Sequence, residues 1–541
     1  MRHSLLLSLL LVVAPAVTAQ TFDPRPAAGS PAASGAVFTN ARLTPTNNFT
    51  FVQTTYRGAF APAPGGTRWD LPWANYTPRL TNYGSSSGAG VTVLSGVLST
   101  RTLEAGRYRL QGFVRVPNGS VLTIRPGVVI FGERSSTGTL IIERGGQIDA
   151  QGTETNPIVF TSEFPVGSRN NGDWGGVIIA GRAAINLANG EGVIEGGTGT
   201  IYGGGAVPND NDNSGTMRYV RIEFAGIAFS PNNEINSLTM GGVGRGTTLE
   251  YIQCSNGGDD AFEWFGGTVN MRYIIGSATI DDVFDGDTGW TGNVQFGLSI
   301  SDPNFFDSSQ SNGFEQDNDG GSTGNTPLTA PTFSNISVFG PGTQTTSQFN
   351  ALFRNAAQIR RNARTSLFNS VLLGFPTAIL LDGSGSNNAT ATGALALEGL
   401  LVTGNVNDNI GAGGANSTAA LTFFNSRPGN QIVASAAAAG FGSIVVAAET
   451  GAISEAGFSL GVQPNPSVSG RATLSVDLPE ATAARLSVFD VLGREVAVVA
   501  DETMAAGTRT FALGRDLPAG VYVARLQTAR GATALQFTVV R

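Results

Sequence analysis

Three copies of one short phrase constrain this chain more than any other feature: Met217-Arg-Tyr-Val220, Leu249-Glu-Tyr-Ile252 and Met271-Arg-Tyr-Ile274, with the tyrosines 32 and then 22 residues apart. A second phrase repeats at the same step. Asp259-Asp260-x-Phe262-Glu263 returns 22 residues later as Asp281-Asp282-x-Phe284-Asp285, and a looser copy reads Gly313-Phe314-Glu315-Gln316-Asp317. Repeats of this length mark units that bury their apolar faces only by stacking on their neighbours. A 22-residue step matches one turn of a parallel β-helix, and 32 leaves room for a loop containing Ser230-Pro-Asn-Asn-Glu234.

The segments around the repeat agree. From about Gly96 the chain is a series of runs such as Val121-Leu-Thr-Ile124, Gly127-Val-Val-Ile-Phe131, Pro157-Ile-Val-Phe160 and Trp174-Gly-Gly-Val-Ile-Ile179, punctuated by Gly, Asn and Pro, with no competing helical period. The expected fold is all-β: a parallel β-helix over residues 96–455, followed by a small sandwich over 463–541. About a dozen coils stacked ~4.8 Å apart make a rod on the order of 60 Å long.

Residues 1–19 have the layout of a secretory signal peptide: Arg2 and His3, an apolar core Leu5 to Val13, and Val17-Thr18-Ala19 before Gln20. The apolar run is too short to span a membrane, and no later stretch qualifies. All 32 basic residues are Arg, and His3 is the only histidine. The expected mature chain therefore has neither Lys nor His, which excludes Schiff-base chemistry, His-dependent triads and His metal sites. Cys254 stands alone, so no intramolecular disulfide forms; it follows an apolar phrase and reads as a core thiol. Residues 20–95 read as a linker and an N-terminal cap region. Trp69 and Trp73 there suggest an aromatic lid on the end of the solenoid, or alternatively a sugar platform.

The charge is local. Without the signal peptide the chain carries −9, and Ser255 to Gly320 alone carries −11, from 12 acids against Arg272. This argues against nucleic acid as a partner and for a cation or a hydroxyl-rich ligand. If one step is one coil, Asp259 stacks on Asp281, Asp260 on Asp282 and Glu263 on Asp285, with Glu315 and Asp317 extending the columns. Two carboxylates ~4.8 Å apart repel by about 1 kcal/mol in water and about 3.5 kcal/mol at an effective dielectric of ~20. A bound divalent cation, a raised pKa or splaying into water must relieve that. Calcium suits an all-oxygen set, with Asp259, Asp260, Glu263, Asp281, Asp282, Asp285, Asp287, Glu315 and Asp317 as expected ligands; turn residues bonded to backbone, and catalytic carboxylates, are the other readings. Trp264 and Trp290 beside the acids are the candidate ligand-stacking residues. Asp210-Asn-Asp212-Asn-Ser214-Gly215 begins like an EF-hand loop, but Arg221 stands where the twelfth-position Glu belongs, leaving a calcium-binding turn at best.

Several phrases carry a family resemblance. Arg125-Pro-Gly-Val-Val-Ile-Phe-Gly132, Leu140-Ile-Ile-Glu-Arg-Gly-Gly146, Gly172-Asp-Trp-Gly-Gly-Val177 and Tyr219-Val-Arg-Ile-Glu-Phe-Ala-Gly226 resemble the secreted right-handed β-helix proteins, pectin-lyase-like in fold, of the Bacteroidetes group. The resemblance implies a fold and a compartment, not an activity. Gly258-Asp259-Asp260 also resembles the Gly-Asp-Asp motif of polygalacturonases, whose Gly-His-Gly partner has no counterpart here. At the C-terminus, Gln463-Pro464-Asn465-Pro466, Leu486-Ser-Val-Phe-Asp490-Val-Leu-Gly493 and Leu517-Pro-Ala-Gly520-Val-Tyr522 are similar to the type A sorting domain of type IX secretion cargo, a small Ig-like β-sandwich. That resemblance implies that Pro464, Asn465, Pro466, Asp490, Gly493, Gly520 and Tyr522 are read by the type IX secretion machinery. The combined expectation is an exported or cell-surface calcium-binding scaffold with a polysaccharide or other surface polymer as partner. The alternative is a polysaccharide lyase or glycoside hydrolase using carboxylates of the 259–287 stretch.

Overall fold

The computed structural model describes residues 22–540 except 46–47, 231–232, 345–348, 410–415, 443–450, 454–458, 464–466, 469–472, 479–480, 491–493, 514–516, 519 and 529–530. A right-handed parallel β-helix dominates the chain. Along one of its three faces twelve strands pair in an unbroken parallel run, from Val91–Val97 through Arg107–Val116, Thr248–Ser255 and Thr332–Phe339 to Gln431–Ile432. At ~4.8 Å per step the stack is roughly 50 Å long. Inward side chains form one continuous core that includes Leu110, Ile130, Phe160, Ile222, Cys254, Ile274 and Ile336. Burial pushes the Cys254 thiol well above its ordinary value, as a core thiol requires.

The repeated tyrosine has a structural role that the phrase itself does not reveal. Strands Gly215–Glu223, Thr248–Ser255, Asn270–Ser277 and Asn293–Ile300 each serve two faces, bending at a residue with left-handed backbone: Tyr219 (φ 50°), Tyr251 (54°), Tyr273 (57°) and Phe296 (64°). The side chains leave the core at this corner and stack on one another, with ring centroids 4.5, 4.4 and 5.1 Å apart. The left-handed conformation costs a non-glycine residue about 1–2 kcal/mol. An aromatic pair recovers about 0.5–1.5 kcal/mol beyond its buried area. Tyr251→Ala keeps the strain and loses three ring contacts, whereas Tyr251→Gly loses the same contacts and the strain, so thermal denaturation is expected to show the alanine variant less stable than the glycine one, by roughly 1 kcal/mol. The reverse order contradicts this account of the corner.

The N-terminal segment is not a cap. It runs along the side of the rod, from the last coils (Ala27 N–H to Gly440 O, 2.7 Å) to the early ones (Ser86 Oγ to Glu163 O, 2.7 Å). Two side-chain amides grip its backbone as a neighbouring strand would. Gln253 accepts from Asn75 N–H (2.8 Å) and donates to Asn75 O (2.7 Å), while Gln295 does the same with Val52 (2.8 and 2.7 Å). Trp73 is fully buried, edge-on to Tyr219 and Tyr251, and Trp69 stacks on Phe60 at 4.8 Å. Both close the seam between strap and rod, so neither is a sugar platform.

The C-terminal segment forms two sheets enclosing their own core of Leu460, Val462, Leu474, Val476, Leu486, Val488, Ala524, Leu526 and Phe537. Tyr522 lies opposite Asp490 in register, and its hydroxyl donates to Pro518 O at 2.8 Å. Asp490 accepts the Arg494 N–H, and Gly520 begins the strand Gly520–Thr528. Pro464, Asn465, Pro466 and Gly493 lie outside the described residues, as does the 1–19 segment.

Candidate metal centre

The acidic repeat falls where the second face turns into the third. Strands Leu238–Val243, Phe262–Gly267, Phe284–Asp287, Phe314–Gln316 and Asn355–Ile359 follow one another up the third face. Alternation sends Phe262, Phe284 and Phe314 inward, with centroids 6.0 and 5.0 Å apart, and Glu263, Asp285 and Glu315 outward in register. The stacking of Glu263 on Asp285, and its extension to Glu315, is as the spacing predicts.

The other column is a ladder. Asp260 N–H donates to Asn236 Oδ1 (3.1 Å), Asp282 N–H to Asp260 Oδ1 (2.8 Å), Asn312 N–H to Asp282 Oδ1 (2.5 Å) and Asn355 N–H to Asn312 Oδ1 (3.1 Å). Four side chains share one job, satisfying the backbone of the next coil, and two of them are acids where the other two are amides. Asn355 also donates its Nδ2 to Asn312 Oδ1 (2.8 Å); an ionised Asp has no donor to offer there. Asp260 and Asp282 are thus stacked as expected, but each already has one oxygen committed to structure. That weakens their claim to be a hydrolase's free acid and base.

Three groups of carboxylates each bring oxygens within 4.8 Å of one another: Asp259, Asp260 and Asp281; Asp260, Glu263 and Asp285; Asp282, Asp285 and Glu315. Asp260 and Asp285 are shared between neighbours, so the groups form one chain up the rod. Asp260, Glu263 and Asp282 are buried, whereas Asp259, Asp281, Asp285 and Glu315 are half-buried and lead out to solvent. Burial, reinforced by the neighbouring carboxylates, pushes Asp259, Asp260, Glu263, Asp282 and Asp285 well above the ordinary carboxyl range. The same causes push Asp281 up to about 8. Burial takes Glu315 to about 7 against the pull of Arg360, and Asp287 to about 6.

The donor set fits a hard divalent cation. It is all oxygen, and ligands on opposite sides of a calcium ion stand up to ~5 Å apart, the spacing seen within each group. Asp285 Oδ1 is buried with no hydrogen-bond donor, an arrangement that an ion would satisfy. Two expected ligands fall outside these groups. Asp317 is held by Arg360 (2.7 Å) and Arg361 (2.8 Å), because the turn after Ile359 places both guanidiniums over it; Asp287 accepts the backbone N–H of Thr288. Asp210 and Asp212 are likewise occupied, accepting from Ala184 N–H (3.1 Å) and Arg182 N–H (2.9 Å), so that loop is a structural turn.

Trp264 and Trp290 are not ligand platforms. Both are fully buried and stack on each other at 4.2 Å and 3°, because they sit on inward positions of their coils. Other contributors were hidden from sequence reasoning. Glu195 arrives from an insertion more than sixty residues upstream and shares the Asn236 amide with Glu263, at 3.0 Å to Glu195. Asn236 itself precedes the repeat and carries no charge. Ser309 Oγ, on a long loop, lies within hydrogen-bond reach of both Asp281 (3.0 Å) and Asp307 (2.7 Å), with one proton to donate to either. Arg360 also contacts Glu315 and closes the upper end of the column.

The family described as a pectate-lyase-like β-helix domain matches residues 96–441. No curated protein matches the chain. Among the described residues, no helix is long and apolar enough to cross a membrane.

Proposed function

Because the chain belongs to the pectate-lyase-like β-helix family, we propose that it is an exported, carbohydrate-related surface scaffold whose third face binds divalent cations, calcium first among them, and presents them to a polysaccharide. The observation that carries this reading is the chain of three carboxylate groups centred on Asp285, whose Oδ1 has no donor. Asp259, Asp260, Glu263, Asp281, Asp282, Asp285 and Glu315 would hold the ions. A bound cation supplies the positive charge that the stacked acids lack and leaves coordination positions for hydroxyl or carboxylate oxygens of a polymer. Export by the signal peptide, and secretion through the type IX machinery by the C-terminal sandwich, belong to the same proposal and rest on the resemblances of those segments.

Calcium bound to the native state alone must raise its stability. Calorimetric titration is expected to show calcium binding, and chelation to lower the melting temperature by several degrees; Asp285→Asn should abolish most of both effects. A melting temperature indifferent to chelation would sink the cation reading. Incubating the protein with uronate-containing and neutral polysaccharides, with and without EDTA, tests the enzyme alternative. Cleavage that Asp260→Asn removes would replace the scaffold with a lyase or hydrolase.

A further inference from the structure

The sandwiched tryptophans leave the third face without the aromatic that the sequence suggested, but the structure supplies another. Among the described residues, Phe229 is the one aromatic side chain that is exposed, at 55 %. It lies on the hairpin Ala228–Ser230 with Asn233–Glu234, which stands against a second hairpin, Gly192–Val193 with Ile201–Tyr202. Glycine makes the close approach possible. A Cβ on Gly197 (φ +68°) would lie 2.6 Å from the Phe229 ring, and one on Gly196 would overlap Ile235. One face of the ring is therefore seated on Gly197, and the exposed remainder is available to a ligand. Val193 and Ile201, cross-strand neighbours on the second hairpin, are also exposed, at 64 % and 45 %.

The same few residues reach the carboxylate column. Glu195, two positions before Gly197, meets the Asn236 amide at 3.0 Å, and that amide also contacts Glu263. Gly196 N–H donates to Asn233 Oδ1 (2.6 Å), tying the two hairpins together beside the site. A flat apolar ring is thus held at the edge of a row of oxygen ligands. The occupant that matches both is a saccharide: its rings offer C–H faces to an aromatic, and its edges offer hydroxyl or carboxylate oxygens to a cation.

We propose that Phe229 is the stacking platform for one sugar ring of a polysaccharide lying along the third face, a reading that rests on the cation-presenting role proposed above. The test uses the full-length protein with saturating calcium, titrated in a calorimeter with a soluble polyuronate and with a soluble neutral β-glucan. Wild type is expected to bind one of them. Phe229→Ala and Phe229→Leu should bind about tenfold more weakly, and Phe229→Trp as well or better. The leucine variant separates ring stacking from apolar contact. Calcium-induced stabilisation should be the same in all four proteins, since the ring ligates nothing. Affinity within twofold of wild type in Phe229→Ala overturns the inference, as does wild type binding neither polymer; with calcium stabilisation intact, each result leaves the cation site standing. Loss of calcium binding with Phe229-dependent polymer binding retained would instead remove the cation reading and keep the platform.

Discussion

Trp264→Ala is expected to destabilise the β-helix by roughly 3–5 kcal/mol, the range for emptying an aromatic site in a packed core. Trp264 stacks on Trp290 at 4.2 Å, lies 6.1 Å from Phe262 and meets Phe333 edge-on at 6.3 Å. Trp290 adds an edge contact to Phe333 at 5.5 Å and donates its indole N–H to Val269 O at 3.2 Å. These coils are rigid neighbours in a stack, so they cannot collapse into the space, and the cavity term is paid nearly in full. Trp264→Phe should cost appreciably less, because it fills most of the volume; the Trp264 indole nitrogen has no hydrogen-bond partner to lose. Equilibrium unfolding in urea measures both. A Trp264→Ala variant of unchanged stability that lost polymer binding would restore the platform reading, which burial contradicts.

The second large effect comes from the ladder. Asp260→Asn with Asp282→Asn keeps every acceptor the ladder uses and adds the amide donors that its other rungs carry, while removing two buried acids. Without calcium at pH 8 the double variant is expected to be more stable than wild type by roughly 2–3 kcal/mol, and with calcium to gain little or nothing. The pH dependence has a definite sign. Folding raises these carboxyl pKa values, so the native state holds more protons than the unfolded chain, and the resulting stability is fully present below the ordinary carboxyl range. It is lost as pH rises through the folded values, which for Glu315 and Asp281 are about 7 and about 8. Calcium-free wild type should therefore melt at progressively lower temperature between about pH 5 and pH 8. Saturating calcium should flatten that decline by favouring the ionised forms, and the double variant should show a shallower decline even without calcium. Scanning calorimetry across that range decides it: a melting temperature that rises with pH in EDTA would mean the carboxylates are ionised and relieved by other means.

The candidate site was partly legible for a simple reason. A 22-residue step with period-two alternation determines which side chains share a column, so Glu263, Asp285 and Glu315 could be placed together, and the inward phenylalanines with them. The same alternation puts Trp264 beside Phe262 on the inward side, a consequence obscured by the neighbouring acids. Asn236 and Asn312 went unnoticed because a ladder is defined by which backbone N–H each amide meets, and their spacing from Asp260 and Asp282 is lengthened by loops. The pairing of Asp317 with Arg360 and Arg361 joins residues more than forty positions apart.

What the sequence determined by itself was the stacked-coil architecture, the local accumulation of negative charge and the lack of Lys and nearly all His. These follow from periodicity and composition, which do not depend on how distant segments meet. Tertiary structure alone decided which carboxylates come together in groups, that the N-terminal segment straps the rod instead of capping it, and that two separate hairpins bring Glu195 to the acidic column and Phe229 beside it. The physical reason is that a loop of any length can return the chain to the same face, so the partners of a column are chosen by packing and not by position in the sequence.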